Sequence, residues 1–185
     1  MLGKITKIVK EYKRKELTVD GLIRAAVLVP ILEKNDQLHI LFTKRTENVE
    51  IHKGQISFPG GHVDKTDKDL METALRETQE EIGISPSKIE ILGAIDDSNT
   101  STGFIVTPYV GLLKSERNYI IEEAEIQRII EVPLTYLMDN KKWHKEEFNH
   151  KGRIYIGEYI LYGNDKIWGA TAKMLRQFLN LLSDK

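Results

Sequence analysis

A chain of 185 residues, 41% of them hydrophobic, is long enough to bury a real core and too apolar to be disordered. A net charge of −1 offers no overall attraction for nucleic acid, and the absence of cysteine removes disulfides and thiolate metal sites, which fits a reducing cytoplasm. No apolar run approaches the roughly 20 residues of a membrane span, and no signal-peptide core follows the start.

Residues 4–15 have the pattern of a basic amphipathic helix, with Ile5, Ile8, Val9 and Tyr12 on one face and Lys4, Lys7, Lys10, Lys13, Arg14 and Lys15 around it. The expected role is a packing helix with a solvated face, in an N-terminal extension over residues 1–20. Residues 24–32 form an apolar strand, Asn35-Asp36 a turn, and residues 38–43 an answering strand, which together predict a hairpin. Residues 55–58 read as a short strand running into a glycine turn at Gly60-Gly61.

The helix that follows, from Leu70 to Gly83, carries the most informative pattern in the chain. At about 100° per residue, Met71, Ala74, Leu75, Thr78 and Ile82 share the packed side, while Glu77, Glu80 and Glu81 fall within an arc of roughly 100° beside it. Three carboxylates so placed repel one another and lie near the helix C-terminus, where the macrodipole disfavours anions. One reading is a solvated acidic face. The other is a site for a hard divalent cation, whose usual partners are clustered carboxylate oxygens. A bare glycine turn in front of the acidic helix favours the second.

Further strands are expected at residues 89–97 and 104–113, with a polar turn at 98–103 between them, and at 122–132. A short helical stretch from Pro133 to Met138 precedes a hairpin turning at Lys151-Gly152, and residues 170–182 close the chain as an amphipathic helix with Met174, Leu175, Phe178 and Leu182 inward. Neither a repeat nor a linker interrupts the chain, so the expectation is one domain over residues 1–185. The fold class is α/β, a mixed sheet sandwiched between helices.

The run Arg76-Glu77-Thr78-Gln79-Glu80-Glu81-Ile82-Gly83-Ile84 resembles the signature of the Nudix hydrolases: G, five residues, E, seven residues, then R-E-U-x-E-E-x-G-U, with U a bulky aliphatic residue. Thr78 departs from the first aliphatic position. The spacing from Gly61 to Arg76 is one residue longer than the pattern, so Asp67 is the nearest stand-in for the upstream Glu. The resemblance implies the same α/β/α sandwich with the signature helix packed on a mixed sheet. It also implies Mg²⁺- or Mn²⁺-dependent hydrolysis of a nucleoside diphosphate linked to another group.

Upstream, Leu41, Thr43, Arg45, Gly54 and Phe58-Pro59-Gly60-Gly61 are similar to the additional motif of the coenzyme A pyrophosphatase branch. Thr46 replaces a Ser, and Glu50 stands where that branch carries Arg. Leu92-Gly93, Asp96-Asp97, the runs 102–104 and 106–108, Glu131-Val132-Pro133-Leu134 and the run 167–172 fit the same branch. The products implied are adenosine 3′,5′-bisphosphate and 4′-phosphopantetheine. Other diphosphates (nucleotide sugars, dinucleoside polyphosphates, noncanonical nucleotides) and a non-catalytic binding module are the alternatives.

The resemblance implies Glu77, Glu80 and Glu81 as metal ligands. It gives Glu77, Glu80 and Arg76 catalytic roles, with Arg76 orienting the carboxylates by ion pairing. Gly60 and Gly61 would let backbone approach metal or phosphate. Arg45 would either bind the substrate phosphate or end a strand in solvent. Asp67 would cap the helix or support the metal shell, capping being the preferred reading. Glu77, Glu80 and Glu125 are the candidates for general base. The expected partner is a small-molecule diphosphate, with no nucleic acid and no membrane, and a homodimer is allowed for.

Overall fold

Two residues at positive φ set up the centre of the fold. Asn35 (φ 50°) and Asp36 (φ 58°) make the tight turn between β1 (Ile23–Lys34) and β2 (Gln37–Arg45), which pair antiparallel with Lys34 opposite Gln37. The computed structural model describes residues 1–47, 53–114, 118–150 and 152–183, without the side chains of 148–150 and 153. Glu50, His52 and Lys151 lie outside the described residues.

The main sheet runs β3 (Ile56–Ser57), β2, β1, β7 (Phe104–Leu113), β5 (Ile89–Ala94). Three strands lie beside this path: β4 (Gly60–His62) on β1, β6 (Ser98–Asn99) on β7, and β8 (Ile126–Pro133) on β2. The β1–β7 pair is parallel and the other pairs are antiparallel, so the sheet is mixed as expected. A second sheet orders β11 (Asp165–Ile167), β10 (Arg153–Tyr162), β9 (Trp143–His150).

Strand alternation sorts the apolar residues onto two faces. Leu32 and Leu41 pack on Ile82 of α2 (Leu70–Ile82), while Ile31, Ile40 and Phe42 join the larger core. That core also takes Ile5, Ile8 and Val9 of α1 (Leu2–Glu11), Leu134 and Leu137 of α3 (Leu134–Met138), and Met174, Leu175, Phe178 and Leu182 of α4 (Gly169–Ser183). Among the described residues no helix is long and apolar enough to cross a membrane.

Several expectations need correction. The Gly60-Gly61 turn is a strand: Gly60 pairs with Val27 and Gly61 with Ala26, and the bare Gly60 lets β1 come close. Residues 122–125 are a turn, not strand, because the Glu122 carbonyl accepts from both the Glu125 and the Ile126 amide. The polar turn at 98–103 begins with the short strand β6, and β11 is a further strand without a counterpart in the sequence reading. Met71 is exposed, since the buried stripe of α2 runs through Thr73, Ala74, Thr78, Glu81 and Ile82.

The first helix stops at Glu11 instead of continuing to Lys15, because two carboxylates capture the backbone that follows. Asp96 accepts from the Tyr12 hydroxyl (2.8 Å) and the Lys15 amide (2.7 Å). Asp97, whose side chain is fully buried, accepts from Thr107 Oγ1 (2.7 Å), Arg14 Nη1 (3.0 Å), the Leu17 amide (3.0 Å) and Arg24 Nη1 (3.2 Å). Burial, followed by the Asp96 acceptor, pushes the Tyr12 phenol up to about 12. Asp97→Ala would leave Arg14 and Arg24 without their shared counter-charge. It is expected to cost about 3–5 kcal/mol in denaturant unfolding and to expose the strap at Lys13–Lys15 to trypsin.

Candidate active site

α2 is placed by its ends. Asp69 caps the N-terminus, accepting from the Glu72 amide at 2.8 Å, and the Glu72 carboxylate reaches back to the Lys68 amide at 2.7 Å. The D-x-x-E spacing of Asp69 and Glu72 was the sequence signal for this cap. Gly83, at φ 73°, closes the C-terminus with its amide on the Gln79 carbonyl.

Asp67 is therefore not the cap. Its carboxylate, 2% exposed, takes a two-pronged grip from Arg76: Nε to Oδ1 at 2.9 Å and Nη2 to Oδ2 at 3.0 Å. Thr73 Oγ1 and the Asp64 amide complete its shell. The Arg76 hydrogen bonds hold the Asp67 acid far below the usual carboxylate range, and Asp67 in turn pushes the guanidinium further up. Arg76 Nη1 then reaches Glu77 Oε1 and Glu80 Oε2, both at 2.9 Å, and Nη2 reaches the His62 carbonyl at 3.2 Å. One planar, permanently charged group thus ties the loop, β4 and two helix carboxylates together.

The three helix carboxylates occupy different environments. Glu81 is 4% exposed; burial lifts its pKa to about 8, against the pull of Arg45. Glu77 is also raised by burial, with Arg76 opposing. Glu80 is open to water, its side chain 58% exposed. The Glu77 charge adds to the upward shift of Glu81, and the Glu80 charge to that of Glu77.

The glycines of β4 sit against these acids. A Cβ on Gly61 would lie 2.5 Å from the Glu77 carboxylate carbon, so only a glycine leaves that carboxylate where it is. The Gly60 amide points at Glu81 Oε2 at 3.4 Å. Arg45, at the end of β2, spans two acids: Nη1 to Glu81 Oε1 at 3.3 Å and Nη2 to Glu125 Oε2 at 3.0 Å. Its Nε is buried and has no hydrogen-bond partner. Arg45 does not end in solvent, and Glu125 is its outer partner. Lys44 points to the opposite face and pairs with Asp165, which also holds Arg128.

The structure therefore brings Arg45, Gly60, Gly61, Arg76, Glu77, Glu80 and Glu81 to one place, with Asp67 and Glu125 as their anchors. Among the described residues no three acidic or histidine side chains converge on one point as they stand; Arg76 pairs with Glu77 and Glu80, and Arg45 with Glu81. The donor set is all carboxylate oxygen, which suits a hard divalent cation. The buried, undercompensated Glu81 is where such an ion would relieve the most repulsion.

The NUDIX domain model matches residues 22–151. A protein of Enterobacter sp. (strain 638) described as an uncharacterized Nudix hydrolase NudL is 36% identical over 169 residues, covering 89% of this chain and 86% of its own length. A protein of the same description from Photorhabdus laumondii is 37% identical over 158 residues, covering 85% and 84%. Among solved structures, a C. elegans Ap4A hydrolase binary complex aligns with a TM-score of 0.58 at 17% identity, over 89% of this chain and 100% of that one. A MutT/nudix family protein from Enterococcus faecalis aligns at 0.59 and 18% identity, over 93% and 66%. The structural likenesses show the fold. The domain match and the relatives, more than a third identical along most of their length, make this chain a member of the Nudix hydrolase family.

Proposed function

We propose that this Nudix hydrolase cleaves the diphosphate bridge of coenzyme A or its thioesters, with Glu77, Glu80 and Glu81 holding Mg²⁺ or Mn²⁺. The observation that carries the reading is the 3.3 Å contact between Arg45 and Glu81. It joins the motif shared with the coenzyme A branch to the Nudix signature helix at a single point.

A bound divalent ion would neutralise diphosphate oxygens and acidify water. The chain's own contribution is placement. Arg76, anchored on Asp67, sets the direction of Glu77 and Glu80. Gly61 leaves room for Glu77, and the Gly60 amide faces Glu81. Glu80, the carboxylate most open to water, would take the attacking water's proton. Water oxygen joins one phosphorus, the bond from that phosphorus to the bridging oxygen breaks, and the other phosphate leaves with the electron pair.

Mass spectrometry of coenzyme A incubated with the protein and Mg²⁺ tests this. Adenosine 3′,5′-bisphosphate and 4′-phosphopantetheine are expected. Intact coenzyme A beside turnover of another diphosphate would replace the substrate assignment. A second reading, a nucleotide sugar, dinucleoside polyphosphate or noncanonical nucleotide, is favoured by the charge around Arg45. That cation is shared between two carboxylates, and Glu50 stands in place of the branch's Arg.

Arg76→Lys keeps the charge and loses the planar fork. Because Nε and Nη2 grip Asp67 while Nη1 holds both Glu77 and Glu80, a geometry that one ammonium cannot reproduce, kcat is expected to fall about 10²-fold with KM little changed, read from steady-state kinetics on whichever diphosphate the wild type turns over.

A further inference from the structure

We infer that Glu125 is a positioning residue for the cation site: it draws Arg45 off Glu81 so that a divalent ion can take that carboxylate. The inference rests on the proposal that Glu81 is a cation ligand. It begins from a conflict of charges. Arg45 Nη1 already lies against Oε1 of the buried Glu81 and the Gly60 amide faces Oε2, so a dication entering here competes with Arg45 for one poorly hydrated carboxylate. Arg45, its side chain 21% exposed, has room to yield toward another anion.

Glu125 is that anion. Its contact with Arg45 Nη2 is 3.0 Å, shorter than the 3.3 Å to Glu81, and its side chain is 51% exposed, so the pair leans toward solvent. The turn that carries Glu125 is fixed to both neighbours. The Thr46 amide bonds the Glu125 carbonyl at 2.8 Å, Thr46 Oγ1 bonds the Ala124 carbonyl at 3.1 Å, and the Glu122 amide bonds the Glu81 carbonyl at 3.0 Å. An anion pinned between the end of β2 and the end of α2 holds its place while Arg45 shifts. The buried Arg45 Nε, without a partner in this arrangement, gains nothing by staying. Once displaced, Arg45 presents its charge to an anionic substrate, which orders the cation before the substrate.

The test is a double-mutant cycle on Mn²⁺ affinity, read by electron paramagnetic resonance of the free ion, with no substrate present. Wild type, Glu125→Gln, Arg45→Met and the double variant are compared at one pH, with circular dichroism to confirm folding. Glu125→Gln is expected to weaken Mn²⁺ binding about tenfold when Arg45 is present and less than about twofold in the Arg45→Met background. Glu125→Asp should recover part of the loss. Equal weakening in both backgrounds would mean that Glu125 touches the ion itself and would overturn the inference, as would no weakening in either. Glu81→Gln serves as the separate control: wild-type Mn²⁺ affinity there would remove the cation-site reading underneath, whereas loss of affinity with an additive cycle would remove the Glu125 role alone.

Discussion

Glu81→Gln is expected to lose at least about 10²–10³-fold in kcat while making the cation-free protein more stable. The two effects have one origin. Glu81 is 4% exposed, and burial raises its pKa to about 8. A carboxyl group whose folded pKa is raised stabilises the fold fully below its unfolded pKa, and that contribution is lost as pH rises through the folded value. Glutamine has no such dependence. In chelator, the variant and the wild type should be close in stability near pH 4.5. The variant should then lead by on the order of 2 kcal/mol above pH 8, the Arg45 pair offsetting part of the cost. Urea unfolding at a series of pH values measures the gap, and steady-state kinetics on the wild type's substrate measures the loss. Full activity in Glu81→Gln, or a gap that shrinks as pH rises, would contradict the role assigned to this side chain.

The adjacent glycines should fail in opposite ways when each is changed to alanine. At Gly61 the new methyl would meet the Glu77 carboxylate, 2.5 Å away. A carboxylate is the far end of a flexible side chain and can swing aside, so folding should suffer little, within about 1 kcal/mol. Glu77 would leave its position, and turnover should fall about 10²-fold. At Gly60, φ is 150° and the methyl would lie 2.4 Å from the Ala26 carbonyl oxygen and 2.6 Å from Val27 Cα. Those are backbone atoms of the central strand and cannot give way, so Gly60→Ala should cost about 2–4 kcal/mol. Thermal unfolding beside kinetics separates the two outcomes. A Gly61→Ala protein with full activity would show that Glu77 need not sit over β4.

Much of this arrangement could be read from the residues. The β1–β2 hairpin, α2, α3, α4 and the gathering of Glu77, Glu80, Glu81 and Arg76 follow from periodicity, turn chemistry and the signature run. What the sequence concealed was set by contacts between distant residues. The length of α1 depended on Asp96 and Asp97, which take up the backbone after Glu11. The strand character of Gly60–His62 depended on β1 having a vacant edge there. The Asp69–Glu72 spacing marks the cap locally, but the grip of Arg76 on Asp67, nine positions apart, leaves no comparable mark. Glu125 was visible as a candidate base, but its pairing with Arg45 spans 80 positions and leaves no local trace.

The parallel pairing of β1 with β7 has a consequence for how the molecule is made. Ile23 registers with Phe104 and Ile31 with Leu112, so one long apolar edge of the central strand has no neighbour until the second half of the chain has left the ribosome. The hairpin with β2 can zip as soon as Asn35 and Asp36 emerge, yet its far side stays open throughout that interval. Slow translation between the two strands would lengthen the window for sticky edge-to-edge association, and a chaperone that shields nascent β1 would protect the enzyme at its most vulnerable moment.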